Sequence, residues 1–254
     1  MDYKNILLEK KEGAGKITIN RLPLNIINIE TLEEMNQALR QLRTDDQVKV
    51  VVITAAGTKA FSAGVEVADH LGDMLPKMVE VFHQLFTELI NVDKPTIAVV
   101  NGLALGGGCE IIAGCDMAIA SEKAQFGQPE IKLGVYPPPA SILFPRIMGQ
   151  KKAFEIILSG DSIDAKEAER IGLINKVVPA DELELAAEAF IKRFTGNSGL
   201  ALSQTRRALY RNLDLEFNKA LEVTGIDATA VMAGENSVEG LTAFLEKRAP
   251  VWKR

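Results

Sequence analysis

The sequence predicts an α/β fold, in which a layered core is followed by a helical C-terminal region. Short apolar runs rich in β-branched residues alternate with amphipathic segments, a pattern typical of layered α/β proteins. The chain has 254 residues, 47% of them hydrophobic and 25% charged, which is long enough to bury a sizeable core. We expect a core over residues 1–197 and a helical region over residues 198–254.

The first third of the chain predicts a hairpin, a helix and a buried strand. Ile6–Lys10 and Lys16–Asn20 flank a glycine-containing turn, as hairpin strands do. Thr31 and Glu34 have the spacing of a capping box, which predicts a helix start there. Val48–Thr54 is too continuously apolar to have a solvent face, so it predicts a strand covered on both sides.

The same order of elements then returns. A long helix is predicted over Met74–Ile90, a strand over Thr96–Val100, a helix that begins among glycines, and a strand over Met117–Ala120. From about Ser141 onward helical periodicity dominates. The later helices are predicted over Lys151–Leu158, Ala165–Ile171, Asp181–Phe194 and the segments after Ser198.

The net charge and the hydropathy of the chain limit the kinds of partner that the protein can bind. A net charge of -5 and a pI near 5.3 provide no global positive field for nucleic acid or an acidic membrane surface. No apolar run approaches the roughly 20 residues of a membrane-spanning helix. The N-terminal residues resemble neither a secretory nor an organellar leader. We therefore expect a cytoplasmic enzyme without nucleic-acid or membrane partners.

The cysteines and histidines provide little chemistry. Cys109 and Cys115 lie six positions apart with no histidine nearby, so the spacing of a metal site is missing. Buried, reduced thiols are the simpler interpretation. The histidines are His70 and His83, and His83 borders an apolar helical face. Nucleophilic catalysis of the Ser-His or Cys-His kind therefore lacks its usual base.

Three consecutive glycines, Gly106–Gly108, stand between a buried strand and an apolar helical run. Glycines permit close backbone approach, and a helix start exposes unpaired N–H groups that favour negative charge. The sequence therefore predicts an oxyanion or anion site. Two alternatives remain: the glycines only allow a helix to pack against a strand, or they form a dinucleotide turn of a nicotinamide-dependent enzyme.

Two glutamates follow this turn. Glu110 lies in the first helical turn among small and apolar residues, where loss of solvent raises a carboxyl pKa, although it could simply cap the helix. Glu130 follows Pro129 in a loop and could be an ordinary surface acid. Converging on one pocket, the two would suit a reaction that removes one proton and delivers another.

A third segment, Lys59–Val67, follows the buried strand and is rich in small residues. Its backbone could line a pocket, or it could be a plain turn between a strand and a helix. In order and spacing, these three segments resemble the enoyl-CoA hydratase (crotonase) family. The resemblance implies a core of repeated ββα units, an acyl-CoA thioester substrate and no cofactor beyond the coenzyme A of that substrate. It also implies that residues 198–254 form homotrimers or homohexamers.

The resemblance implies roles for single residues. Ala63 and Gly107 would provide two backbone N–H groups that bind the thioester oxygen and stabilise an enolate. Glu110 and Glu130 would hold and activate one water. The residues implied in substrate binding are Gly64, Val65, Glu66, Val67, Tyr136, Pro137 and Lys247.

One stretch departs from the family pattern. Where family members are rich in glycine, Val135–Ser141 contains three prolines, which we expect to stiffen a loop and alter the acyl pocket. Together with Phe61–Ser62 and Val67–His70, this stretch resembles cyclohexa-1,5-diene-1-carbonyl-CoA hydratases more than fatty-acid crotonases. Retention of both glutamates favours hydration. Enoyl-CoA isomerase, acyl-CoA thioester hydrolase and non-catalytic acyl-CoA binding stay open.

Overall fold

The structure is a computed structural model and describes residues 3–253. The strands in that range are β1 Ile6–Lys11, β2 Ala14–Ile19, β3 Val50–Ala55, β4 Ala60–Ser62, β5 Thr96–Val100, β6 Leu103–Leu105, β7 Met117–Ser121, β8 Gln125–Gly127, β9 Ile163–Asp164 and β10 Lys176–Val178. The α-helices are α1 Ile29–Arg43, α2 Leu75–Asn91, α3 Gly107–Gly114, α4 Pro138–Met148, α5 Gln150–Ser159, α6 Ala165–Arg170, α7 Leu183–Thr195, α8 Gly199–Asn212, α9 Phe217–Met232 and α10 Glu235–Leu245.

The strands form two sheets. The larger sheet has the order β1-β2-β3-β5-β7-β10, and the smaller has the order β4-β6-β8-β9. Three successive units each place one strand in the larger sheet, the next strand in the smaller sheet, and then a helix. These units are β3-β4-α2, β5-β6-α3 and β7-β8-α4. Because β4, β6 and β8 are parallel neighbours, the segments that follow them lie at the same edge of the smaller sheet.

The predicted hairpin at the start of the chain is present. β1 and β2 pair antiparallel, with Ile6 opposite Ile19 and Lys11 opposite Ala14. The turn between them includes Gly13 at a φ of +83°, in the left-handed region that glycine adopts readily. β2 continues into the parallel part of the sheet by pairing with β3.

The start of α1 differs from the prediction. Asn28 caps the helix, because its side-chain oxygen accepts from the Thr31 N–H at 3.0 Å. Glu34 is not the partner in a capping box. Its carboxylate instead accepts from the backbone N–H groups of Lys4 and Asn5 at 2.9 and 2.8 Å, and thereby fixes the segment before β1 to α1.

The proline-rich stretch also differs from the prediction. α4 begins at Pro138, inside the run that was expected to be a loop, so two of the prolines start a helix instead of stiffening a loop. Pro138 and Pro139 occupy its first two positions, where an N–H would have no intrahelical partner. The stretch before α4 keeps Val135 and Tyr136 exposed.

The larger sheet is covered on both faces. One face packs into the main core together with α1, α2 and α3, and the other face packs against α7. Because both faces are covered, the sequences of β3 and β5 are almost continuously apolar. The residues on the α7 side are Val50, Val52, Ile97, Val99, Ile119, Val178, Leu183, Ala187 and Phe190.

A polar network connects α8 to the core. The buried Arg206 guanidinium donates to Asp116 at 2.6 Å and to the carbonyls of Leu89 and Ile90, at the end of α2, at 2.7 Å. The Tyr210 hydroxyl donates to the other Asp116 oxygen at 2.6 Å. All these donors have partners, so the network holds α8 in a single position on the core.

Residues 3–253 contain neither a membrane-spanning helix nor a cluster of metal-ligating side chains. No helix in this range is long and apolar enough to cross a bilayer. The same residues contain no group of three or more acidic, histidine or cysteine side chains that could together hold a metal ion.

Replacing Arg206 by Ala should destabilise the protein by about 3 kcal/mol, because the partly buried Asp116 would be left without its charge partner and two carbonyls at the end of α2 would lose their donor. Urea unfolding measures the change. Arg207→Ala is the matched control, since its ion pair with Asp93 is more exposed and should contribute about 1 kcal/mol or less. Equal losses in the two variants would show that the network does not hold α8.

Candidate active site

The glycine turn lies between β6 and α3, at a point where backbone and side chains approach closely. Gly106 has a φ of +51° and a ψ of -127°, and α3 begins at Gly107. A Cβ on Gly107 would lie 2.6 Å from Cγ2 of Val65, and a Cβ on Gly108 would lie 2.7 Å from the Ser62 carbonyl oxygen. Side chains at these positions would therefore push the turn away from the segment after β4.

The backbone amide groups of the segment after β4 point alternately to two sides of the chain. The N–H of Ile27 donates to the Gly64 carbonyl at 2.9 Å, and the N–H of Glu66 donates to Ile27 O at 2.8 Å. The two backbones thus pair as a parallel bridge between Ile27 and Val65. Val65 therefore turns its own N–H away from Ile27, and its side chain approaches Gly107.

Two backbone N–H groups beside the glycine turn have no hydrogen-bond partner within the described part of the chain. Among the hydrogen bonds of residues 3–253, none uses the N–H of Val65 or the N–H of Gly107. Both residues are close to each other, because the Cβ position on Gly107 meets the Val65 side chain. Two free amide donors beside each other are suited to hold one oxygen that gains negative charge.

The structure contradicts the assignment of one amide donor to Ala63. The Ala63 N–H donates to the carbonyl of Leu24 at 2.9 Å and has no hydrogen left for a ligand. Val65, two residues later, has a free N–H and lies next to the glycine turn. The prediction for Gly107 has no such conflict.

Glu110 is buried in α3, with an exposed fraction of 2%. Burial raises the pKa of its carboxyl to about 8, and the charge of Glu130 acts in the same direction. One hydrogen bond opposes the shift, because the N–H of Ala140 in α4 donates to Glu110 Oε1 at 2.9 Å. The carboxyl is therefore protonated over much of the neutral range.

Glu130 lies in a short 3-10 turn, Pro129–Leu133, directly after β8. It is partly buried, and burial raises its pKa to about 7. A Cβ on Gly106 would lie 2.6 Å from Glu130 Oε1, so the glycine turn and this carboxylate are in direct contact. The structure thus brings together Gly107, Glu110 and Glu130 from segments that follow neighbouring strands.

The arrangement joins two chemical functions. Two carboxyl groups with pKa values near neutrality can exchange protons with a bound molecule at ordinary pH. Two free amide donors can stabilise an oxyanion. Together they suit chemistry next to a carbonyl group, in which a proton moves while an enolate forms.

The remaining predicted residues lie at different distances from this centre. Gly64 has a φ of +112°, and its N–H donates to the Ser62 hydroxyl at 3.1 Å. Glu66 continues the same segment, and Val67 begins an exposed 3-10 turn that ends at His70. These residues extend the backbone outward from the free amides, toward the surface.

Tyr136 and Pro137 precede α4, and 65% of the Tyr136 side chain is exposed. Lys247 lies beyond α10, exposed and at a φ of +55°. α10 packs on α8 and α9, so no described contact brings Lys247 to the glutamates of its own chain. The structure therefore joins the predicted catalytic residues but leaves Lys247 apart from them.

Sequence reasoning missed Ala140 and the donor role of Val65. Ala140 is fully buried and its N–H contacts Glu110, but an alanine backbone carries no chemical signature. The only available signal was the proline pair before it, which is typical of a helix start. The role of Val65 depends on pairing with Ile27, which is distant in sequence.

A cavity of about 1770 Å³ lies elsewhere, between the core and the C-terminal helices. The far end of α3, with Ile112 and Ala113, borders it, and neither Glu110 nor Glu130 does. It is therefore separate from the centre described above.

Comparison with known proteins gives concordant results. A model of the family described as enoyl-CoA hydratase/isomerase matches residues 9–254. The chain is 35% identical to a short-chain-enoyl-CoA hydratase of Clostridium acetobutylicum, with 98% of this chain and 97% of that protein covered. It is 37% identical to a crotonyl-CoA hydratase of Syntrophomonas wolfei, with 98% and 97% covered.

Solved structures agree with this result. An enoyl-CoA hydratase from Bacillus anthracis superposes with a TM-score of 0.95 at 30% identity, and the match covers 98% of this chain and 99% of that one. An enoyl-CoA hydratase from Mycobacterium smegmatis gives a TM-score of 0.93 at 28% identity, with 98% and 99% covered. Similarity therefore extends over nearly the whole chain.

Glu110→Gln should make the stability of the protein less dependent on pH. The folded wild type keeps a proton on Glu110 up to about pH 8, whereas the unfolded chain releases it near 4.5. Wild-type stability should therefore fall as pH rises through this window, and the neutral amide removes that loss. Urea unfolding at about pH 5 and about pH 9 measures both proteins.

The control for this measurement is Glu122→Gln, which removes an exposed carboxylate just after β7. It changes the net charge equally without emptying a buried site. Identical pH dependence in wild type and Glu110→Gln would contradict the raised pKa of Glu110.

Proposed function

Because this chain belongs to the enoyl-CoA hydratase/isomerase (crotonase) family, we propose that it is a hydratase which adds water to a conjugated acyl-CoA thioester. The observation that carries the proposal is that the buried carboxyl group of Glu110 and the partly buried one of Glu130 lie at a turn that offers free backbone amides. Relatives named as hydratases support the reaction type. The predicted crotonase fold, with its ββα units and helical C-terminal region, is confirmed.

The amides of Val65 and Gly107 bind the thioester oxygen. When water adds to the conjugated double bond, negative charge moves onto that oxygen and an enolate forms. Preorganised amides stabilise this charge without reorganising, and loss of one such donor typically costs about 3–4 kcal/mol. Their proximity to the glutamates supports this role.

Glu110 and Glu130 act on the water and on the enolate. One carboxylate accepts a proton from the attacking water while the other carboxyl supplies a proton to the enolate carbon. Their pKa values of about 8 and about 7 support this division, since near neutral pH the pair holds about one proton.

Two acyl groups are candidates for the substrate. Two relatives are named for short-chain and crotonyl substrates, which supports a short linear enoyl group. The run Val135–Pro139 supports the alternative, cyclohexa-1,5-diene-1-carbonyl-CoA, through its resemblance to hydratases of that compound. The exposed Tyr136 would then contact the acyl group. We propose no cofactor apart from the coenzyme A of the substrate, and a cytoplasmic location.

We further propose that the chain assembles with copies of itself, as a homotrimer or homohexamer. None of the residues of α9, all of them described, is buried, although the helix is rich in apolar side chains. Exposed apolar surface of this extent is typical of protein interfaces. The exposed apolar side chains on α9 are Phe217, Leu221, Ile226 and Met232. Lys247 of a neighbouring copy could then bind the phosphates of coenzyme A.

Glu110→Gln and Glu130→Gln should each lower the rate of hydration by about 10²–10⁴, because each removes a proton-transfer group. Loss of conjugated absorbance and the gain of one water in product mass measure the reaction. Crotonyl-CoA and cyclohexa-1,5-diene-1-carbonyl-CoA are tested separately. The control is again Glu122→Gln, which should keep wild-type activity. A fully active glutamate variant would contradict the mechanism.

Ile226→Glu should weaken the assembly, because it places a charge on the apolar face of α9. Light scattering after gel filtration gives the mass of each protein in solution. Leu185→Glu, on the exposed side of α7, is the matched control and should leave the mass unchanged. A monomeric wild type would overturn the proposal of a homo-oligomer.

A further inference from the structure

Asn25 lies in the turn between β2 and α1, and its side chain is completely buried. Its φ is +50°, in the left-handed region that asparagine tolerates better than most residues do. The mechanism proposed above gives this side chain no role. A buried amide needs partners for its donor hydrogens and its acceptor oxygen, so its partners show what it holds together.

The Asn25 amide connects three parts of the backbone. Its oxygen accepts from the Arg21 N–H at 3.0 Å, within the same turn. Its nitrogen donates to the carbonyls of Ala56 and Ala60 at 2.9 and 2.8 Å. Ala56 follows β3, and Ala60 is the first residue of β4. One side chain therefore fixes the turn before α1 to both ends of the connection between these two strands.

The same turn holds the segment after β4 by backbone contacts. The Leu24 carbonyl accepts from the Ala63 N–H at 2.9 Å, and the Ile27 carbonyl accepts from the Glu66 N–H at 2.8 Å. These contacts occupy the N–H groups of Ala63 and Glu66, whereas that of Val65 stays free within the described residues. The turn therefore decides which amide of the segment is available to a ligand.

The position of the turn along this segment depends on Asn25. Neighbouring amides of an extended chain point to opposite sides, so a displacement of the turn would leave a different N–H free. Within residues 3–253, no other side-chain hydrogen bond joins residues 21–27 to residues 56–66. The bond to Ala60 fastens the turn at the start of β4, directly before the backbone contacts begin.

We propose that Asn25 is a positioning residue for the oxyanion site: its side chain sets the pairing that leaves the N–H of Val65 free beside Gly107. The catalytic consequence rests on the proposed hydration, since it matters only when a thioester oxygen binds there. The effect on the backbone does not rest on that reaction, and it can be measured in the free protein.

The first test is hydrogen exchange of single amides in wild type and in Asn25→Gly. Glycine adopts the same positive φ but has no side-chain amide. Exchange of the Ala63 and Glu66 amides should accelerate about tenfold more than exchange of the amides that pair β3 with β5, because their acceptors are no longer fixed. Equal acceleration in both regions, or none, would overturn the proposal. Asn25→Asp, which keeps the shape, replaces the Gly variant if that protein does not fold.

Asn101→Ala is the matched control, because Asn101 also holds the connection between β3 and β4. Its side-chain nitrogen donates to the carbonyls of Ala55 and Gly57 at 3.0 and 2.6 Å, and neither acceptor belongs to the turn before α1. This variant should show no excess acceleration in the segment after β4. The same excess in both variants would overturn a specific role of Asn25.

A bound thioester gives a readout at the oxyanion site itself. Butyryl-CoA has no double bond to hydrate, and isotope labelling of its thioester carbonyl makes the infrared band of that group visible in the complex. Donors to the oxygen lower the frequency of this band. The band should lie lower in wild type and in Asn101→Ala than in Asn25→Gly, and an identical band in all three proteins would overturn the proposal.

Hydration kinetics add a further readout. With an active substrate, kcat should fall about tenfold to hundredfold in Asn25→Gly while KM changes little, because oxyanion donors act mainly in the transition state. A rise in KM with unchanged kcat would overturn the proposal. If wild type hydrates neither acyl-CoA, the proposed function fails, and hydrogen exchange still decides the role of Asn25.

Discussion

The close approach of the glycine turn to its neighbours is the constraint on which the site depends. Gly106 leaves room for the carboxylate of Glu130, Gly107 for Val65, and Gly108 for Ser62 at the end of β4. The turn can reach these places because β4, β6 and β8 are parallel neighbours, so the ends of three separate units meet. Any Cβ in the turn would separate groups that must lie within hydrogen-bonding distance of the same small molecule.

This packing also sets the electrostatics. The groups that fill the space around the turn are mainly apolar, so each carboxyl group has little solvent and few donors. Burial then raises both pKa values, and it does so more for Glu110 than for Glu130. The same tight fit that positions the two acids therefore also makes them different from each other.

How much the sequence could reveal depended on whether a signal was local. The strands β3, β5 and β7 and the helix after the glycines were predictable, because apolar runs and turn residues mark them directly. The cap of α1 was wrong, since Glu34 has partners before β1 that are about 30 residues away. The donor at Ala63 was wrong for a similar reason. Which N–H in that segment is free depends on pairing with Ile27, and a shift of two residues cannot be seen in the local sequence.

The two prolines at the start of α4 affect the pKa of Glu110 because they have no backbone N–H groups. An ordinary helix start presents several free N–H groups, and a carboxylate placed there becomes a stronger acid. Pro138 and Pro139 have no N–H, so Ala140 is the first residue of α4 that can donate, and it gives Glu110 one hydrogen bond. The proline pair thus preserves the proton affinity of Glu110. The start of α4 thus keeps the pKa of Glu110 high because it lacks backbone donors. Glycines at positions 138 and 139 would restore those donors.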